Sequence, residues 1–209
     1  MRRDWTLALA VAALCAVPLA AQAPAGWKVR VDRSQNAQDP DNTPDLTFAA
    51  MGKGFHVVGG PAGTFWNPAN TASGDFTLKA TFNLMQPSNH TNYYGLVFGG
   101  ANLDGEAQAY TYFVVAQNGM FLIRHRAGAQ TQDVQARTAH AAVSKPGANG
   151  QSTNVLEVRV AGGTVSFVAN GTVVHSMPKS ALPATDGIVG VRINHVLNVH
   201  VEGFEVRKS

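Results

Sequence analysis

From Leu46 onward the chain is a succession of short apolar runs, each closed by a turn-forming residue. They read "LTFAA", "GFHVVG", "GTFWN", "DFTLKATFNLM", "NYYGLVFGG", "AYTYFVVA", "GMFLIRHR", "TQDVQART", "TNVLEVRV", "GTVSFVAN", "TVVHSM", "GIVGVRI" and "VLNVHVEGFEVR". Gly, Asn, Asp or Pro stands in almost every gap, the pattern of short antiparallel strands joined by tight turns. No stretch sustains an apolar period of 3.6; "TAHAAVSK" comes nearest and is short. The chain is thereby restricted to an all-β architecture, an antiparallel two-sheet sandwich or a barrel. Charge is also sparse, 14% of 209 residues, against about a quarter in ordinary soluble domains.

Alternation within the runs assigns faces. Phe76, Leu78, Ala80, Phe82 and Leu84 fall on one side of their strand, and Thr77, Lys79, Thr81 and Asn83 on the other. Leu156, Val158 and Val160 oppose Glu157 and Arg159, while Leu197, Val199 and Val201 oppose Asn198, His200 and Glu202. Each strand thus has one dry and one wet face. Gly162-Gly163 and Asn170-Gly171 offer the positive φ angles that two-residue hairpins need.

The first 21 residues read as a secretory signal peptide. Met1-Arg2-Arg3 is a basic start, Leu7 to Leu19 an apolar stretch too short and Ala-rich for a good membrane span, and small residues follow at Ala20, Ala21, Ala23 and Ala25. Cleavage is expected after Ala21, because Pro24 would otherwise begin the mature chain. The lone Cys15 leaves with the leader, so the exported protein depends on its core rather than on disulfides. Of 16 basic and 13 acidic residues, Arg2, Arg3 and Asp4 lie in the leader, leaving 14 against 12. That weak balance, with no basic run interleaved with aromatics, excludes a nucleic-acid footprint. Residues 22–45 then hold a strand over 27–33 and the polar, proline-broken "SQNAQDPDNTPD". Residues 46–209 form the sandwich, which strand 27–33 is expected to join.

The passages "SGDFTLKATFNL", "YGLVFGGANLDGEAQAYTYFVVAQNGMFLIRHRAG", "NVLEVRVAGGTVSFVANGTVV" and "DGIVGVRINHVLNVHVEGFEV" resemble the concanavalin A-like lectin/glucanase superfamily. Within it they are most similar to laminin-G-like and 3-keto-disaccharide hydrolase-like (DUF1080) secreted bacterial domains. The resemblance spans about Phe65 to Arg207. It implies a two-sheet antiparallel jelly-roll sandwich that meets carbohydrate or a glycoconjugate on its concave sheet or rim loops. Retaining glucanases of the superfamily carry E-x-D-x-x-E on one strand, with carboxylates about 5 Å apart; that pattern is absent here. Only Asp104/Glu106 and Glu202/Glu205 come as close acidic pairs, and an unbulged strand would turn Glu202 and Glu205 to opposite faces.

Three groups of side chains invite a functional reading. With Asn118-Gly119 as a two-residue turn, Tyr112 pairs with His125 on the core side, and Phe113 with Arg124 and Thr111 with Arg126 on the outer side. Phe113, Arg124 and Arg126 then make an aromatic–guanidinium platform for a sugar, or two arginines merely solvate the sheet while His125 packs beside Tyr112. Tyr93 faces outward beside Gly95 and Gly99, a flat patch for a pyranose, with Asn89-His90 and Asn102, Asp104 and Glu106 at the same rim. Those three rim residues also offer oxygens to Ca²⁺, or form a plain solvated loop. Asn198, His200 and Glu202 share one strand face and could begin a metal or acid–base site. Glu106, Glu157, Glu202 and His200 are the catalytic candidates should the protein turn over a glycoside. Trp66 is an end plug of the sandwich or a sugar-stacking lid. No nucleophile elbow, Walker loop, cysteine zinc set or dinucleotide fingerprint occurs. The readings are therefore an exported carbohydrate-binding or accessory domain, a glycoside-directed hydrolase, or an adhesive envelope protein that recognises another protein.

Overall fold

The computed structural model describes residues 22–34, 36, 38–39 and 44–208. The expected signal peptide and most of the polar loop before Pro44 lie outside the described residues. In chain order the strands are β1 (Lys28–Asp32), β2 (Thr47–Met51), β3 (Gly54–Val58), β4 (Ala62–Ala72), β5 (Phe76–Gln86), β6 (Tyr93–Ala101) and β7 (Ala109–Ala116). They continue as β8 (Met120–Ala127), β9 (Gln130–Ala139), β10 (Ser152–Ala161), β11 (Thr164–Ala169), β12 (Thr172–Pro178), β13 (Gly187–Ile193) and β14 (Asn198–Lys208). The one helical piece among the described residues is a 3-10 turn at Lys179–Ala181, and none of their helices is long and apolar enough to cross a membrane.

Two seven-stranded antiparallel sheets stack face to face. Sheet A runs β1-β4-β13-β6-β7-β8-β9 and sheet B runs β12-β11-β10-β5-β14-β3-β2. The inward faces are those the alternation assigns: Phe76, Leu78, Ala80, Phe82 and Leu84 of β5 meet Tyr94, Leu96 and Phe98 of β6, and each is fully buried. Trp27, Phe48, Phe55, Phe65 and Phe204 close one part of this core as a cluster of edge-on and tilted rings.

Turn chemistry sets the register. At Asn170-Gly171 both φ angles are positive, 50° and 82°, and Ala169 pairs with Thr172, as a two-residue hairpin requires. The Asn118-Gly119 turn is different. Only Gly119 has positive φ, its N–H donates to the Ala116 carbonyl, and Val115 pairs with Phe121. Three residues, Gln117, Asn118 and Gly119, form this loop, a type I turn with a glycine bulge. Gln117 is held there because its amide accepts from Ser88 N–H and donates to the carbonyls of Ser88 and His90.

One buried polar residue fixes how the long 139–152 connection docks. Asn154, fully buried on β10, donates to Tyr94 Oη at 3.0 Å and to the Ser144 carbonyl at 3.1 Å. It accepts from Ser144 N–H at 2.8 Å and from the Asn170 amide at 2.9 Å. Asn154→Ala strands these groups in the interior, at a cost of about 2–3 kcal/mol. Urea unfolding should show that loss as a lower midpoint with an unchanged slope; a midpoint within error of wild type would contradict it.

Candidate functional site

The outward face of sheet A reads across the strands in rows. One row is Lys28–Trp66–Gly190–Val97–Tyr112–Arg124–Asp133, and the next is Arg30–Thr64–Arg192–Gly95–Val114–Leu122. Although these side chains point away from the core, Trp66, Tyr93, Val97, Tyr110, Tyr112, Val114 and Leu122 are buried together as a second apolar cluster. Curvature is the cause. Asp32 on edge strand β1 and Arg126 on β8 stand five strand positions apart, about 24 Å in a flat sheet, yet their side chains meet at 3.6 Å. The sheet therefore curls around its own outward face.

Arg192 lies at the centre of that curl. Its guanidinium is buried and donates from Nη1 to Asp32 at 2.7 Å, Thr64 Oγ1 at 2.9 Å and Tyr110 Oη at 3.0 Å. It also lies over the Tyr112 ring, 5.5 Å from its centroid. Burial works against its charge, but Tyr110, Asp32 and Tyr112 outweigh burial and hold the group more firmly protonated than usual. To reach β7 the side chain crosses β6 where its row has Gly95, so no side chain stands in the way.

At one margin of the face, Arg124 bonds to Asp133 across β8–β9, and Arg137 caps the Tyr93 ring at 5.6 Å. Burial raises the pKa of both Tyr93 and Tyr112 against the opposing pull of nearby arginines, so both stay neutral phenols. The Tyr93 hydroxyl is buried without a hydrogen-bond partner. At the other margin the 102–108 loop folds back over β1: Lys28 bonds to Asp104, and Arg30 donates to the Gly105 carbonyl and to the Gln108 amide oxygen. Between loop and sheet is a cleft of about 680 Å³ lined by Arg30, Asp32, Arg33, Glu106, Gln108 and Arg126.

The expected residues are therefore partly gathered and partly dispersed. Arg124, Arg126 and Tyr93 do share the outward face. Phe113 does not: the three-residue loop shifts the hairpin by one, so Tyr112 pairs with Arg124 while Phe113 pairs with Ile123 in the core. For the same reason His125 packs against Thr111 at 3.1 Å, not against Tyr112. Asn89-His90 and Asn102, Asp104 and Glu106 flank opposite ends of β6 and so do not share a rim. Asp104 is engaged by Lys28. Trp66 is neither lid nor end plug but a mid-strand residue of β4, 2% exposed. Tyr112, Arg137, Asp32 and Arg192 were not legible as site residues; their only signal is alternation, which gives a face and no partner.

The remaining candidates lie on the outward face of sheet B. Glu157 is held by Arg159 at 2.7 Å and Lys79 at 3.7 Å. A bulge at Gly203 (φ 61°) puts Glu202 opposite Thr81 and Glu205 opposite Lys79, so both glutamates share the outer face after all. His200 pairs across the strands with His56 on one side and Asn83 on the other; the imidazoles are 5.8 Å apart, and Asn83 donates to Glu202 at 3.3 Å. These four, with Met51, Met85 and Thr153, line a cavity of about 440 Å³. Among the described residues the buried Nδ1 atoms of His56 and His200 meet no hydrogen-bond partner at normal distance. Among the described residues no three His, Cys, Asp or Glu side chains converge as metal ligands.

Neither a protein-family model nor a curated protein sequence matches this chain. Solved structures do. The carbohydrate-binding module CBM66 from Bacillus subtilis superposes with TM-score 0.63 at 11% identity, over 88% of this chain and 96% of that one. A Bacteroides ovatus mixed-linkage glucan GH16 protein gives 0.53 at 7%, over 84% and 92%. A Bacillus subtilis protein of galectin-like fold gives 0.54 at 13%, over 87% and 89%. The fold is a concanavalin A-like jelly-roll sandwich.

Two predictions follow from this electrostatic arrangement. Asp32→Asn leaves the Arg192 charge buried without its carboxylate, and loss of one partner of such a pair costs about 3 kcal/mol. Chemical denaturation should reveal that loss, and unchanged stability would contradict it. Second, burial lowers the pKa of His56, His125 and His175 below the ordinary 6.5; at His56 Asn198 opposes the effect and His200 adds to it. The unfolded chain thus binds more protons below that pH, so stability is complete above about 6.5 and falls as acidification reaches the folded-state values. Thermal melts should show Tm dropping from neutral pH to mildly acid pH. A flat or rising Tm would refute this.

Proposed function

We propose that the protein is an exported carbohydrate-binding or accessory domain whose saccharide site is the curled outward face of sheet A. One observation carries the reading. Polar and charged side chains (Arg30, Asp32, Glu106, Gln108 and Arg126) line a single cleft whose volume of about 680 Å³ is suited to a small saccharide. Arg124 and Arg137 continue the polar surface over Tyr112 and Tyr93. Planar guanidinium forks can grip vicinal hydroxyls. The fold shared with a carbohydrate-binding module and the signal-like leader support the same reading. Within that fold, laminin-G-like and DUF1080-like secreted domains are the kin it draws on.

A glycoside-directed hydrolase is the second reading, favoured by one fact: Asp32 and Glu106 line the same cleft. Binding is preferred because Asp32 is committed to its ion pair with Arg192 and Glu106 is the other carboxylate lining the cleft, whereas the two-carboxylate mechanism needs both groups available to the substrate.

Polysaccharide pull-down and isothermal titration test the proposal. Arg124 is partly exposed and Arg137 makes no ion pair among the described residues. The double variant Arg124→Ala/Arg137→Ala should therefore fold normally and lose about tenfold or more in saccharide affinity. Full retention of affinity would confine the site to the cleft, and retention in Arg30→Ala as well would move it off this face. Release of reducing ends in the same assay, abolished by Glu106→Gln, would establish the hydrolase instead.

A further inference from the structure

Around Asp32 the cleft holds more positive charge than it neutralises. Arg192 Nη1 takes its Oδ2 at 2.7 Å, Arg126 Nη2 approaches the same oxygen only to 3.6 Å, and Arg30 Nε stands 3.7 Å from Oδ1. Three guanidinium groups thus share one carboxylate. Arg192 and Arg30 complete their bonding elsewhere, Arg192 with Thr64 and Tyr110, Arg30 with the Gly105 carbonyl and the Gln108 amide. Arg126 does not. Among the described residues, beyond the long contact to Asp32, it has one 3.5 Å bond to the Gly128 carbonyl, and its Nε is buried with no partner. Its side chain is 16% exposed, so water does little to compensate the deficit. The cleft's other charges do not remove it: Arg33 is paired with Asp45, and Glu106, on the exposed rim, makes no ion pair among the described residues.

We propose that the saccharide bound here is acidic, and that Arg126 receives the carboxylate of a uronic acid residue at the floor of this cleft. The proposal rests on the saccharide-binding reading and specifies its ligand class. A carboxylate matches the planar guanidinium fork and would offset the excess charge around Asp32. A neutral sugar hydroxyl could accept one bond but would leave the charge uncompensated. Glu106 at the rim opposes any anion entering, which gives the cleft a built-in control.

The test is isothermal titration of the mature protein with short oligogalacturonates, oligomannuronates and oligoglucuronates. Each is set beside the same oligosaccharide with its carboxyls reduced to primary alcohols. Wild type should bind at least one uronate about tenfold or more tighter than its reduced counterpart, the worth of one charge-assisted hydrogen bond, and added salt should narrow the gap. Arg126→Gln should erase most of the preference. Because that variant touches a packed network, Glu106→Gln provides a gain-of-affinity check that misfolding cannot mimic: uronate binding should tighten severalfold relative to binding of the reduced sugar. Equal affinity for charged and reduced forms, or a preference that survives Arg126→Gln, overturns the proposal. Binding of neutral saccharides alone would overturn it and leave the saccharide site standing; binding of no saccharide would remove both.

Discussion

A guanidinium removed from water must be given its counter-charge, and in this protein that requirement shapes an entire sheet. Arg192, in the middle of sheet A, finds its carboxylate on the edge strand β1, its hydroxyls on β4 and β7, and an aromatic face on β7. Satisfying all of them draws the edge of the sheet toward its centre. The tyrosines and Trp66 that would otherwise form an open aromatic platform are thereby buried as a second apolar layer. What remains accessible is a polar margin of Arg124, Asp133 and Arg137 on one side, and a charged cleft beneath the 102–108 loop on the other.

The two outward faces consequently differ in chemistry. Sheet A carries crowded, oriented charge with more guanidinium than carboxylate, and planar guanidinium forks suit hydroxyl-rich or anionic ligands. Sheet B carries the His56–His200 pair and the Asn83–Glu202 bond in a cavity walled by Met51 and Met85. Its charged residues are largely spent on one another, as in the Glu157–Arg159 and Glu205–Arg207 pairs, and burial keeps His56 biased toward the neutral form. This contrast is the ground for proposing sheet A as the face that meets a polar ligand.

Much of this was legible in the chain. Alternation alone separates Phe76, Leu78, Phe82 and Leu84 from Thr77, Lys79 and Asn83, and turn chemistry marks Asn170-Gly171 as a two-residue hairpin, because both are local rules. Where a local rule met a distant contact, the contact prevailed. Asn118-Gly119 reads as the same hairpin, but hydrogen bonds from Gln117 to the 88–90 segment enlarge the loop. One extra residue exchanges Phe113 for Tyr112 as the neighbour of Arg124. Gly203 likewise introduces a bulge that unites Glu202 with Glu205. Asp32 and Arg192, 160 residues apart, could not be joined by periodicity at all. The arginines of the site were thus visible as outward residues, whereas the curl that makes them a cleft was not.

The most direct test of the account is to follow arginine Nε–Hε and histidine ring signals by NMR while a bound oligosaccharide is titrated into the isotopically labelled protein. Shifts concentrated at Arg124 and Arg126, with His56 and His200 unmoved, are the expected result. Shifts at the two histidines with the sheet A arginines silent would place the ligand on the opposite face and contradict the account.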